Sequence, residues 1–135
     1  MSDYVRIKAV RFKIPTNVIE KIVKENKDDW IYDLLTKKYG VRDCYETPKN
    51  EFTVNGGYNF KNEKMDYFLD FLLDYEYGAN GEFESVRLLT DNEFEKYSKK
   101  FAIYFNEISR DELRLVHYSY YNGVDEPSVY EVEEV

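Results

Sequence analysis

The sequence predicts an α+β fold. Hydrophobic residues make up 43% of the 135 positions, an ordinary share for a chain that builds a core. They recur in two rhythms, at alternate residues in some stretches and every three or four residues in others. The stretches interleave irregularly, and no repeat or low-complexity linker divides them. A single compact domain over residues 1–135 follows. It has an N-terminal strand and two helices, a central hairpin and amphipathic helix, and a C-terminal antiparallel meander.

Each element has a local reason. From Tyr4 to Ile14, Val5 and Ile7 alternate with Arg6 and Lys8, then Val10, Phe12 and Ile14 alternate with Arg11 and Lys13. This is a strand whose phase slips at Ala9–Val10, as at a bulge. Pro15 ends it, and Thr16 or Asn17 is placed to cap a helix carrying Val18, Ile19, Ile22 and Val23. Asp28 or Asp29 opens a second helix with Trp30, Ile31, Leu34, Leu35 and Tyr39, and Gly40 stops it. Residues 41–50 read as loop. Asn55-Gly56-Gly57 between two short apolar runs reads as a hairpin turn. Met65, Phe68, Leu69, Leu72, Leu73 and Tyr75 then keep helical spacing, the strongest helix signal in the chain. Phe83 to Leu89 reads as a strand, and Thr90-Asp91-Asn92-Glu93 as a capping box before a helix with Phe94 and Tyr97. Phe101 to Ile108 fits strand and helix; its strand-forming residues favour strand. Leu113 to Tyr121 is a strand, Asn122-Gly123 opens a loop, and Val129 to Val132 is a final strand.

Composition excludes several functions. One Cys leaves no internal disulfide framework, and one His leaves no paired-histidine metal motif, so no metal and no cofactor is expected. Glycine-rich phosphate loops and the Gly-x-Ser-x-Gly elbow are missing from the sequence, so no enzyme is expected and no catalytic residue is assigned. Cys44 and His117, with Asp43 nearby, are the components of a thiolate–imidazolium pair, but nothing in the sequence fixes their separation. No apolar run is long enough to span a bilayer and the start is unlike a signal peptide, so a cytoplasmic location without membrane contact is expected.

Charge is the sharpest feature. The net formal charge is −8: residues 1–50 carry 11 bases and 8 acids, and residues 51–135 carry 8 bases and 19 acids. On a helix, Glu63, Asp66, Asp70 and Asp74 stack along one face opposite the Leu/Phe stripe. Such a face is either ordinary solvated surface or a carboxylate ladder for Lys and Arg of a partner, at a spacing comparable with backbone phosphates. Tyr118 and Tyr120 share one face of the 113–121 strand and are candidate anchors. A basic strip (Arg6, Lys8, Arg11, Lys13) suits edge protection, and no direct nucleic-acid binding is expected of so acidic a chain.

In composition the chain resembles immunity proteins and phage-encoded inhibitors, which are likewise compact, acidic and rich in Tyr; the likeness transfers no residue roles. The expected function is a protein-binding inhibitor directed at a basic, nucleic-acid-handling protein such as a nuclease, toxin or defence effector. Its binding residues would be Glu63, Asp66, Asp70, Asp74, Tyr118 and Tyr120. The alternatives are a small-ligand or enzymatic domain with a Tyr-lined pocket, and a structural or adaptor subunit that self-associates through an apolar patch.

Overall fold

The computed structural model describes residues 4–42, 47–79, 85–121 and 129–130. In chain order they form β1 (Tyr4–Lys13), α1 (Thr16–Glu25), α2 (Ile31–Tyr39), β2 (Phe52–Asn59), β3 (Lys64–Ala79), β4 (Ser85–Leu88), α3 (Asp91–Phe101), β5 (Leu113–Tyr121) and β6 (Val129–Tyr130), with a 3-10 turn at Arg110–Glu112. The strands make one sheet in the order β4-β5-β1-β3-β2-β6. Among the described strands every pairing is antiparallel except β2 with β6. The class is α+β, as the sequence predicts.

β1 is an interior strand with both faces buried. Val10, Phe12 and Ile14 face the helices, where α2 contributes Leu35 and Tyr39 and α3 contributes Phe101. Val5, Ile7 and Ala9 face the other side, against Leu72, Val116 and Tyr118. The phase slip read in β1 is therefore a change in which face is polar. β1 pairs with β5 without a break, and the bulge lies opposite, where Lys8 and Ala9 pair with Asp74 and Leu72 and leave Leu73 over.

The sheet curls toward the face without helices. Asn55 on β2 and Tyr118 on β5 are three strand spacings apart, about 14 Å in a flat sheet with side chains standing upright. Yet Asn55 Nδ2 donates to Tyr118 Oη at 2.8 Å. β6 at the far edge also approaches β5, as the same curvature requires.

Four expectations are corrected. The segment from Met65 to Tyr75 is strand β3, not a helix. Apolar residues fill both of its faces, Phe68 and Leu72 on the concave side and Leu69 and Phe71 toward the helices. Two buried faces plus a bulge imitate helical spacing. Asn55-Gly56-Gly57 is no turn, because β2 runs straight through it and the chain reverses at 60–63. Gly56 serves a close approach instead: a Cβ there would lie 2.2 Å from the Tyr32 hydroxyl. Residues 101–108 form no strand; α3 ends at Phe101 and turns follow. Finally, the last strands make no meander, since β5 inserts between β4 and β1 while β6 joins β2 at the opposite edge.

The end signals were legible for α2 and α3. Gly40 closes α2 in the left-handed conformation at φ 65°. Thr90 and Glu93 form the reciprocal capping box. The carboxylate of Glu93, held by the Arg87 guanidinium at 2.8 Å and by the Thr90 amide, has its pKa lowered to about 2. Two expected caps are replaced: Pro15 precedes α1 and Trp30 precedes α2, neither with a side-chain cap bond.

Candidate functional site

The sheet scatters the acids that a helix would have aligned. Glu63 lies exposed in the β2–β3 turn with φ 54°. Asp66 is buried, bonded to Asn59 Nδ2 at 2.9 Å and paired with Lys13 at 3.4 Å. Asp74 is exposed, but Lys49 pairs with it at 2.8 Å, and that lysine is the first cause of its lowered pKa. Tyr118 is 2% exposed, so it is core and no anchor. Tyr120 pairs with Val5, and its side chain lies outside the described residues, as do Asp43 and Cys44.

Asp70 shows why the ladder fails. It has no exposed surface. It faces Arg11 across the β1–β3 ladder and accepts two parallel bonds, from Arg11 Nε and Nη2, each 2.8 Å. Asn55 Nδ2 adds a third at 2.6 Å and reaches on to Tyr118. The Arg11 guanidinium lies 4.2 Å from the centre of the Phe68 ring. A bidentate, stacked and hydrogen-bonded pair of this kind fixes strand register on the concave face. Basic Arg11 and Lys13, read as an edge strip, are thus internal counter-charges. A cleft of about 480 Å³ opens beside them, lined by Lys13, Phe68, Asp111, Glu112 and Arg114.

A polar row crosses the other face of the sheet. Ser85 pairs with His117, His117 with Lys8, and Lys8 with Asp74. Ser85 Oγ and His117 Nδ1 are 3.4 Å apart, a loose contact. Burial, then Lys8, then Arg87 push the imidazole pKa below its ordinary 6.5. The unfolded chain therefore binds this proton first, so the contribution is intact above about pH 6.5 and is lost as pH falls through the lower folded value. His117→Asn should flatten the fall in urea midpoint between about pH 7.5 and pH 5.5. Equal falls in variant and parent would show that His117 has no part in it.

Charge is segregated more sharply than the sequence halves suggested. Residues 1–3, 43–46, 80–84, 122–128 and 131–135 hold 10 acids and no base. The described residues keep 17 acids against all 19 bases, a balance of +2. Within that body acids and bases pair, as in Arg6–Glu76, Arg42–Glu51 and Arg87–Glu93. Tyr4 pairs with both Ala79 and Tyr121, so residues 1–3, 80–84 and 122–128 each join the described strands there, while 80–84 also joins Ser85 and 122–128 also joins Val129, which pairs with Gly57.

Sequence reasoning also missed an apolar stripe. Trp30 stands edge-on to Tyr32 at 5.1 Å, and Tyr32 to Tyr67 at 5.7 Å. The Met65 methyl borders Gly56, Met65 pairs with Tyr58, and Tyr58 meets Phe60 at 4.9 Å. Trp30 is 54% exposed, Phe60 68%, Met65 42% and Tyr58 37%.

No helix among the described residues is long and apolar enough to cross a membrane. Comparison with known proteins finds no matching family model, no matching curated protein and no matching solved structure.

Proposed function

We propose that the protein is a non-catalytic binding protein directed at a basic protein partner, of the inhibitor class the sequence suggests. The supporting observation is the distribution of charge along the chain: residues 1–3, 43–46, 80–84, 122–128 and 131–135 hold 10 acids and no base, while the rest balances at +2. Acidic charge concentrated in such stretches steers a cationic surface toward it, with an effect that salt screens. This moves the docking end away from Asp66, Asp70 and Tyr118, which serve the interior. A nuclease, toxin or defence effector that handles nucleic acid has the required basic surface.

The test neutralises Glu82, Glu84, Asp125 and Glu126 to their amides and compares lysate capture with the parent chain at low and high salt. Enrichment of basic, nucleic-acid-handling proteins by the parent alone, lost at high salt, supports the reading. Captured proteins without basic character, or capture unchanged by neutralisation, overturn it. The cleft beside Arg11, Lys13 and Arg114 favours a second reading, a small ligand bearing both charge signs.

A further inference from the structure

We infer that the cleft between the start of α1 and the 3-10 turn before β5 binds a small aromatic zwitterion, an amino acid or a dipeptide. Its carboxylate meets Lys13 and Arg114, and its ammonium meets Asp111 and Glu112. This rests on the second reading above, that the cleft takes a small ligand bearing both charge signs, and not on the basic-partner proposal.

The cleft lies where two paired strands meet their neighbouring turns. β1 ends at Lys13 and passes through Pro15 into α1, while the Arg110–Glu112 turn leads into β5. Phe12 stands opposite Leu113, so one step further on Lys13 and Glu112 occupy neighbouring positions. Opposite charges so placed, with Cβ atoms about 5 Å apart, ordinarily attract across the strands. Here both are engaged elsewhere. Lys13 reaches the buried Asp66 on β3 at 3.4 Å, and Glu112 Oε1 turns back to accept from the Ser109 amide and hydroxyl at 2.8 and 2.6 Å. Among the described residues no ion pair joins Lys13 to Asp111 or Glu112. Cation and anions are thus held apart around about 480 Å³ of open space, a volume within the range of small-molecule sites.

The lining identifies the ligand class. Buried Arg11 is already answered by Asp70. Of the other charged side chains on the wall, Lys13 and Arg114 balance Asp111 and Glu112. A ligand with one charge of each sign satisfies both sides, whereas a phosphate monoester, at about −1.5 to −2, would face the two acids with like charge. Lys13 has three N–H donors and spends one direction on Asp66, and the Asp111 carboxylate is exposed and unbonded among the described residues. Arg114 Nη1 donates to the carbonyl oxygens of Asp111 and Leu113, which fixes the guanidinium on the wall without adding negative charge. Phe68 and Pro15 supply the apolar part of the lining, suited to a ring.

NMR titration of the full chain decides the matter. The probes are L-phenylalanine, L-phenylalanylglycine, the single-charge analogues 3-phenylpropionate and phenethylamine, and phosphorylethanolamine. Phenylalanine or the dipeptide should shift the amides of Lys13, Phe68 and Arg114 with a Kd of about 1 mM or tighter, and each single-charge analogue should bind at least about 10-fold more weakly. Tighter binding of phenylalanine names a free amino acid as the source, and tighter binding of the dipeptide names a peptide. Asp111→Asn should weaken the zwitterion at least about 10-fold and leave 3-phenylpropionate unchanged; Lys13→Gln should do the same while sparing phenethylamine. Both positions are exposed, and Asp66 keeps its bond from Asn59 in the second variant, so circular dichroism should stay parental. Single-charge analogues that bind as tightly as the zwitterions overturn the inference, as does an Asp111→Asn variant that weakens every probe alike. Phosphorylethanolamine shifting these amides while phenylalanine and the dipeptide do not would refute the inference and leave the second reading standing. No shift from any zwitterion at about 10 mM refutes both.

Discussion

Asp70→Ala should destabilise the protein by about 3–5 kcal/mol, read as a fall in urea midpoint at neutral pH. The substitution removes a carboxylate that has no exposed surface and leaves the Arg11 guanidinium buried without its bidentate acceptor. Losing the bidentate counter-charge of a desolvated group dominates that loss, so Arg11→Met should be comparably harmful for the reciprocal reason. The double variant Arg11→Met/Asp70→Leu should regain much of the stability, since replacing both charges by apolar groups removes both desolvation penalties. Asn55 limits the recovery: it loses one acceptor and keeps only Tyr118. Additive single and double variants would show that Arg11 and Asp70 do not act as a buried pair. A cost for Asp70→Ala below about 1 kcal/mol would place the carboxylate in solvent, as the helical reading of this segment had it.

That reading failed for a reason specific to β3. A strand with one buried face shows alternation, and a helix with one buried face shows a three-to-four rhythm. β3 is buried on both faces and carries the extra Leu73, so Phe68, Leu69, Leu72 and Leu73 fall at helical spacing by coincidence. Its aromatic content (Tyr67, Phe68, Phe71, Tyr75) was the contrary signal, in favour of strand. The site residues inherited the error. Asp66 and Asp70 lie two registers apart on the concave face, and past the bulge Asp74 lies on the other one. Elements with one buried side were legible: α1, α2 and α3 each have a single apolar face, and Thr90–Glu93 and Gly40 mark ends that need only local chemistry. The role of Gly56 was not legible, because the residue that requires it, Tyr32, is brought there by tertiary packing. The apolar stripe was hidden likewise, being assembled from three separated segments of chain.

Phe101→Ala should destabilise by about 3–5 kcal/mol, while Ile103→Ala should stay within about 0.5 kcal/mol of the parent. The contrast follows from where α3 stops. Phe101, its last residue, is fully buried, with its ring 5.0 Å from Phe52 and 6.3 Å from Phe12. The turn that follows throws Ile103 into solvent and brings Tyr104 and Phe105 back onto Tyr39, at 5.4 and 5.9 Å. Truncating Phe101 therefore opens a cavity ringed by aromatics that are each held elsewhere, so the site has little freedom to collapse. In a strand, Phe101, Ile103 and Phe105 would share one face, and the first two truncations would be similarly costly. Equal losses at 101 and 103 would restore the strand for this segment. A large loss at 101 alone makes Phe101 the main anchor of α3, beside Phe94 and Tyr97, which also pack on the core, and makes the 102–108 turn the clamp that closes the helix layer over β1 and β2.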